Sequence, residues 1–150
     1  MRGVTFIEIL VVFAVLAVLV TIIVAGFGQY REERALAGDT ERLLSTLEEA
    51  RVKTLASTDL YTYGVHLQNN QFILFRGSSF DAATNTNRVF TISSDVEISS
   101  WALTGGGEDI IFDRLTGETS MHGTITLRLK KVTSRTRIVS ILSSGVISSD

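Results

Sequence analysis

The residues best suited to chemistry lie between positions 109 and 122. Three carboxylates, a hydroxyl and an imidazole occur there: Asp109, Asp113, Glu118, Ser120 and His122. Such a set could form a carboxylate site, or a nucleophile with its base. Asp109 and Asp113, however, bracket an apolar Ile-Ile-Phe run, which is typical of a short strand with solvated polar ends. The sequence therefore favours a strand terminus and a turn, and we assign no catalytic residue.

Metal chemistry has few ligands available in this chain. There is no Cys, and the two histidines are His66 and His122. Disulfides and thiol nucleophiles are therefore excluded, and a zinc site built on His would need help from carboxylates. Glu108, Asp109 and Asp113 could supply oxygens to calcium, but no run matches an EF-hand loop. No metal and no cofactor are assigned.

A basic cluster lies in the last quarter of the chain and consists of Arg128, Lys130, Lys131, Arg135 and Arg137. If two strands pair around Thr133, alternate members share a face and could contact a DNA backbone. The whole chain has 14 Lys and Arg against 16 Asp and Glu, which argues against a surface that neutralises many phosphates. The sequence favours an exposed β edge kept soluble by charge, with nucleic-acid contact as the alternative.

A long apolar segment precedes all of these residues. From Ile9 to Tyr30 there are 22 residues without a charge, which as a helix would be about 33 Å long against a hydrocarbon core of about 30 Å. A cleaved signal peptide is the competing interpretation, but its apolar region usually has about 7–15 residues. We therefore expect a membrane span that stays attached.

An amphipathic segment follows from Arg31 to Asp59. Its apolar residues recur at three-, four- and seven-residue intervals along one stripe of a helix: Leu36, Leu43, Leu44, Leu47, Ala50 and Leu55. The chain has no Pro to interrupt it. The pattern predicts one helix from about Thr5 to about Ser57, with Gly26, Gly28 and Gly38 as its weak points.

After Asp59 the apolar period becomes two, which predicts β-strands. One predicted hairpin joins Tyr61–Leu67 to Gln71–Arg76, and a second joins Thr124–Lys130 to Arg135–Leu142. Shorter predicted strands are 88–92, 95–100, 109–113 and 145–148, and 78–87 and 104–108 are predicted loops. His66 falls on the polar side of its strand. Trp101 is expected to lie in the core or to be half-buried, with a contact residue on the head surface as the alternative.

These patterns together predict the α+β class. A long N-terminal α-helix, transmembrane in its first half and amphipathic in its second, packs on a C-terminal antiparallel β-sheet or β-sandwich head. At 150 residues the chain suits one domain with an appendage.

Glu8 combines a carboxylate with the start of the apolar segment. A charged side chain near the centre of a bilayer costs roughly 2.5–3.5 kcal/mol on insertion scales, so an acid there is a candidate functional residue. A first-turn acid favoured by the helix dipole is the alternative. Position by itself leaves both interpretations open.

Residues 2–8, Arg-Gly-Val-Thr-Phe-Ile-Glu, followed directly by the span, resemble the class III signal sequence of type IV pilins and of the pseudopilins of type II secretion. The resemblance covers residues 2 to about 30 closely. Residues 113–117, 123–130 and 145–147 more loosely resemble the minor-pilin and minor-pseudopilin class.

The resemblance implies that a prepilin peptidase cuts between Gly3 and Val4 and methylates the new amine. Glu8, then fifth in the mature chain, would pair with the Val4 amine of a neighbouring subunit. The implied regions are a leader at 1–3, an assembly helix at 4–30, an amphipathic helix at 31–57 and a head at 58–150. The chain departs from the pattern at Val4, where Phe or Met is usual, and at Ala25, where Pro is common.

The implied role is a structural filament subunit and not an enzyme. Its implied partners are other pilin or pseudopilin subunits, the peptidase and an inner-membrane assembly platform. The implied location is the bacterial inner membrane, with the N-terminus cytoplasmic and the head periplasmic or extracellular. A DNA-binding minor pilin and a membrane-tethered hydrolase using Asp109, Asp113 or His122 are the alternatives.

Overall fold

The computed structural model describes residues 5–57 and 60–150, with backbone only at 24–27 and 29. The chain divides into two compact units, Met1–Arg34 and Ala35–Asp150, which we describe separately.

A single helix, α1, runs over Phe6–Leu55 and belongs to both units. The prediction of one helix from about Thr5 to about Ser57 is thus confirmed. Glu8 in its first turn and Lys53 in its last have the charges that the helix dipole favours at each end. Ser57, with φ +49°, turns the chain out of the helix.

Over residues 60–150 the structure describes eight strands, which form two antiparallel sheets. Their bounds are β1 Tyr63–Gln68, β2 Gln71–Arg76, β3 Arg88–Thr91, β4 Val96–Leu103, β5 Asp109–Ile111, β6 Gly123–Leu129, β7 Thr136–Ile141 and β8 Ile147–Ser149. The first sheet has the order β3-β2-β1-β5, and the second has the order β4-β6-β7-β8. The predicted α+β class is confirmed.

Both predicted hairpins form. β1 and β2 pair across the Asn69–Asn70 turn, and β6 pairs with β7. β4 extends three residues beyond its predicted end at Ser100 and includes Trp101. That side chain is half-buried and packs against the core, as predicted.

The core of the second unit joins the apolar stripe of α1 to both sheets. The helix contributes Leu36, Leu43, Leu47 and Ala50, all buried. Leu44 packs against this cluster from its margin. Because most of the exposed positions in this part of the helix are polar or charged, one face packs on the sheets and the other meets solvent.

The first sheet is covered on its second face as well. Phe75 is buried outside the main core and meets the edge of the Phe80 ring, with ring centroids 5.7 Å apart. Phe80 belongs to the 78–87 segment, which is irregular as predicted. This loop therefore supplies the apolar cover that the outer face of β2 needs.

Candidate functional site

The first turn of α1 positions Glu8. The Thr5 hydroxyl accepts the Glu8 backbone N–H at 3.4 Å, and the Glu8 carboxylate accepts the Thr5 backbone N–H at 3.5 Å. This reciprocal pair is a capping box, which satisfies free donors at a helix start. Both distances exceed the usual range of about 2.7–3.2 Å. The exposed carboxylate is therefore held weakly and can accept a stronger donor. Gly3 and Val4 lie outside the described residues.

The segment Phe6–Ile23 is long and apolar enough to cross a bilayer. Its mean hydropathy is 3.1 and none of it is buried. The exposed fractions of its large apolar side chains run from 44% at Ile9 to 79% at Phe6. A continuous apolar surface of this kind marks an interaction with lipid or with other protein.

Two side-chain contacts of α1 are compatible with a helix that lies in a bilayer and leaves it near Tyr30. The Thr21 hydroxyl donates to the Ala17 carbonyl at 2.8 Å, so its donor is satisfied within the helix. The Arg34 Nε donates to the Tyr30 hydroxyl at 2.8 Å, and the guanidinium lies 5.0 Å from the centre of that ring. Tyr and Arg are typical of the level at which a helix leaves the hydrocarbon core.

Asp109 is the one member of the predicted acidic cluster that the described residues place beside an imidazole. His66 Nδ1 donates to Asp109 Oδ1 at 2.6 Å, and the Phe80 backbone N–H donates to Oδ2 at 3.4 Å. Gln68 lies 3.3 Å from the other ring nitrogen of His66, and the Phe80 ring stacks on the imidazole at 3.9 Å. The neighbours of this pair are thus an amide, a phenyl ring and the Glu108 carboxylate, whose Oε2 lies 3.9 Å from His66 Nε2. The network fastens the 78–87 loop to the sheet.

The other members of the cluster lie elsewhere. His122 Nε2 is 3.1 Å from the Thr104 hydroxyl, and its buried Nδ1 has no partner within the described part of the chain. Asp113 makes turn contacts through its backbone, with its N–H donating to the Glu118 carbonyl. Ser120 is exposed. Over residues 5–57 and 60–150, no group of three or more His or acidic side chains could hold a metal ion.

The register of the β6–β7 hairpin divides the basic cluster between two faces. Arg128 lies opposite Thr136, whereas Arg137 lies opposite the core residue Leu127. Because strand residues alternate, Arg128 and Arg137 point to opposite sides of the sheet. The arginines of β6 and β7 therefore do not form one continuous basic face on this hairpin.

Acidic residues at the β4 edge compensate part of this charge. Arg128 Nε donates to Glu97 at 2.7 Å, and Lys131 Nζ lies 3.7 Å from Asp95. Lys130 donates to the Ser94 carbonyl at 2.8 Å. These contacts reduce the positive charge that the hairpin can offer to a phosphate backbone.

Two of the three late motifs of the family resemblance, 113–117 and 145–147, meet at one atom. The Gly117 carbonyl oxygen accepts a hydrogen bond from Arg51 Nε of α1 at 3.2 Å. A Cβ on Gly145, whose φ is +77°, would lie 1.8 Å from that same oxygen. Gly145 is therefore required both for its backbone conformation and for the close approach of the two turns.

Sequence reasoning missed a charged network on the outer side of α1. Glu49 accepts hydrogen bonds from Lys53 Nζ at 2.7 Å and from Arg88 Nη1, 39 residues later, at 2.5 Å. Burial would raise the pKa of the Glu49 carboxyl, but the Lys53 hydrogen bond and charge, together with Arg88, hold that pKa below its ordinary value. Glu49 and Lys53 stand at the i, i+4 spacing of a helical ion pair, which was a usable signal. Nothing in the sequence indicated Arg88.

Comparison with known proteins gives a fold relationship. No protein-family model matches the chain, and no curated protein sequence matches it. Two crystal structures of the Pseudomonas aeruginosa type IV minor pilin FimU are similar to it, with TM-scores of 0.57 and 0.60. They share 16% sequence identity with the chain and cover 77% and 81% of it, and 92% of FimU in each case. The chain therefore has a type IV pilin-like fold.

Proposed function

We propose that this protein is a structural subunit of a type IV pilus-like or type II secretion pseudopilus filament. The observation that carries the proposal is the combination of a type IV pilin-like fold with an apolar first helical segment, Phe6–Ile23, none of which is buried. A soluble domain does not leave such an area exposed, because burying it is worth about 25 cal/mol per Å². In a filament, helices of other subunits cover it, and lipid covers it before assembly.

In this proposal, residues 1–3 are removed and the helix from Val4 to Tyr30 serves as membrane anchor and assembly element. A prepilin peptidase of the bacterial inner membrane cleaves between Gly3 and Val4, with the N-terminus on the cytoplasmic side. Gly3 has no side chain, so the backbone can enter a narrow site there. Residues 31–57 and 58–150 then form the part that an assembly platform raises from the membrane.

Glu8 selects the register of assembly. Its capping contact with Thr5 is long, so a cationic amine on a neighbouring subunit can displace it as a stronger, charge-assisted partner. Within a bundle of apolar helices, an unpaired carboxylate is heavily penalised. A subunit therefore enters stably only where its Glu8 meets the Val4 amine of another subunit.

The mass of the N-terminal peptide from the native membrane tests the processing step. We expect a chain that begins at methylated Val4. A chain that retains Met1 would contradict processing, and one that begins near Tyr30 would indicate an ordinary signal peptide.

A pair of matched variants tests the role of Glu8. Glu8→Gln removes the charge, whereas Thr5→Ala weakens the capping box and leaves the carboxylate. We expect Glu8→Gln to lower recovery of the subunit in sheared filaments at least about tenfold with membrane levels unchanged, since a buried charge loses its partner. Thr5→Ala should have a small effect. Equal losses in both variants would show that Glu8 acts only as a helix cap.

A further inference from the structure

A cavity of about 180 Å³ lies where the end of α1 meets the first sheet. It is lined by Lys53, Tyr63, Leu74, Phe75, Arg76, Thr86 and Arg88. At about 30 Å³ per water molecule, it has room for roughly six waters or a small organic molecule. All of its lining belongs to the second unit.

Three of the lining side chains are cations. Lys53 and Arg88 share the Glu49 carboxylate, which stands beside the lining and not in it. Arg76 has no carboxylate partner among the described residues. Counted over the described residues, these three cations and the adjoining Glu49 leave two positive charges in excess at the cavity, in a chain whose net charge is −2.

Aromatic rings hold these cations in place. The Arg76 guanidinium lies 4.3 Å from the Tyr61 ring centre, Lys53 Nζ lies 5.5 Å from that of Tyr63, and the Arg88 guanidinium lies 5.2 Å from that of Phe90. Stacking of this kind restricts long side chains before any ligand arrives. Preorganised donors lose less conformational entropy on binding, so they favour a ligand.

We propose that this cavity binds a compact dianionic oxyanion, either a phosphate group or a small dicarboxylate. The Arg76 guanidinium supplies a fork of donors that matches two oxygens of either group. Lys53 and Arg88 supply a second cationic side, and the Thr86 hydroxyl can serve as a neutral donor. Tyr63 and Phe75 give an apolar wall for a short carbon skeleton.

Neutralising Glu49 and neutralising Arg76 should change the affinity for the anion in opposite directions. Glu49 competes with the incoming anion for Lys53 and Arg88, so its neutralisation should tighten binding. Arg76 has no such competitor, so its neutralisation should weaken binding. A charge effect spread over the whole surface would not distinguish Arg76 from an exposed arginine elsewhere, such as Arg114.

The experiment titrates the full chain in neutral detergent with inorganic phosphate and, separately, with succinate. Amide chemical shifts are followed at constant ionic strength and pH 7.5. We expect saturable binding of at least one probe, with the shifts centred on residues 74–76 and 86–88. Arg76→Gln should weaken it about tenfold or more, because a charge-assisted hydrogen bond is lost. Glu49→Gln should strengthen it several-fold, and Arg114→Gln should leave it unchanged.

Each outcome decides the proposal. Saturation by phosphate alone or by succinate alone supports it and identifies the oxyanion. Absence of saturation by both probes, or equal weakening by Arg114→Gln and Arg76→Gln, overturns it. Should Arg76→Gln fail to fold, a Glu49→Gln protein that binds no more tightly than the original would overturn it as well.

Discussion

Apolar side chains of α1 have opposite environments in the two units of the chain. None of Phe6–Ile23 is buried, whereas Leu43 and Leu47 further along the same helix have no exposed surface. The difference does not come from hydrophobicity, because Leu and Val are common in both parts. In the first part apolar residues surround the helix, and in the second they form one stripe. An apolar helix position stabilises this fold only where the chain itself supplies the facing surface.

The largest contrast should come from one leucine in each region. Leu47→Ala leaves a cavity in the core and should lower the free energy of unfolding by about 2–5 kcal/mol. Leu16→Ala, at a position that is 49% exposed, should change it by less than about 0.5 kcal/mol. Urea unfolding of the full chain in detergent, followed by fluorescence of its one tryptophan, Trp101, measures both. Equal losses would remove the distinction between the regions.

Gly145 tests whether the far end of the head is as closely packed as its core. An alanine there would need an unfavourable positive φ and would push its Cβ against the Gly117 carbonyl. We expect Gly145→Ala to cost about 2–3 kcal/mol. Gly28→Ala, on the helix with no atom within 4 Å of the added Cβ, is the control. It should not lower the unfolding midpoint.

Asp39 is a buried carboxylate near the start of the packed part of the helix. The residue is only 2% exposed. Its carboxylate accepts hydrogen bonds from the Ser93 backbone N–H at 2.9 Å and from Arg42 Nη1 at 3.2 Å. Asp39→Ala leaves these donors unmatched and should cost about 1–2 kcal/mol, and Asp39→Asn should cost less. If both variants had the same free energy of unfolding as the original protein, Asp39 would contribute no more to stability than a residue of the exposed region.

Glu49 should produce the smallest effect and one that depends on pH. Its folded pKa lies below the ordinary value of 4.5, so the charged form stabilises the fold at neutral pH. The contribution is complete above about pH 4.5 and disappears as pH falls through the folded pKa. Glu49→Gln should therefore cost about 0.5 kcal/mol at pH 7 and less near pH 3.

The neighbouring variant Glu48→Gln is the control for the loss of an ion pair. Glu48 has no charged partner within the described parts of the chain. At pH 7 this substitution should change the free energy of unfolding by less than Glu49→Gln does. A difference for Glu49→Gln that stays constant from about pH 7 to about pH 3 would contradict the pKa argument.

Local patterns predicted the elements of this fold well. The helix, both hairpins and the polar loop at 78–87 follow from periodicity and turn residues, because each signal lies within a few neighbouring positions. Contacts between distant residues were not predictable in this way. For residues 109–122 the sequence favoured a strand terminus and a turn; β5 and Phe112 lie between Asp109 and Asp113, and Asp109 finds its partner His66 43 residues earlier.

The sequence by itself determined the apolar first helix, the Glu8 spacing and the α+β class, since each depends on residues that are neighbours along the chain or one helical turn apart. Tertiary structure alone decided which charges meet. It joined Glu49 to Arg88, placed Arg76 beside a cavity, and brought the Gly117 carbonyl against Gly145. The Glu49–Arg88 and Gly117–Gly145 contacts join residues 39 and 28 positions apart. The geometry of all three depends on how the strands pair and how the helix lies on them, which no local pattern encodes.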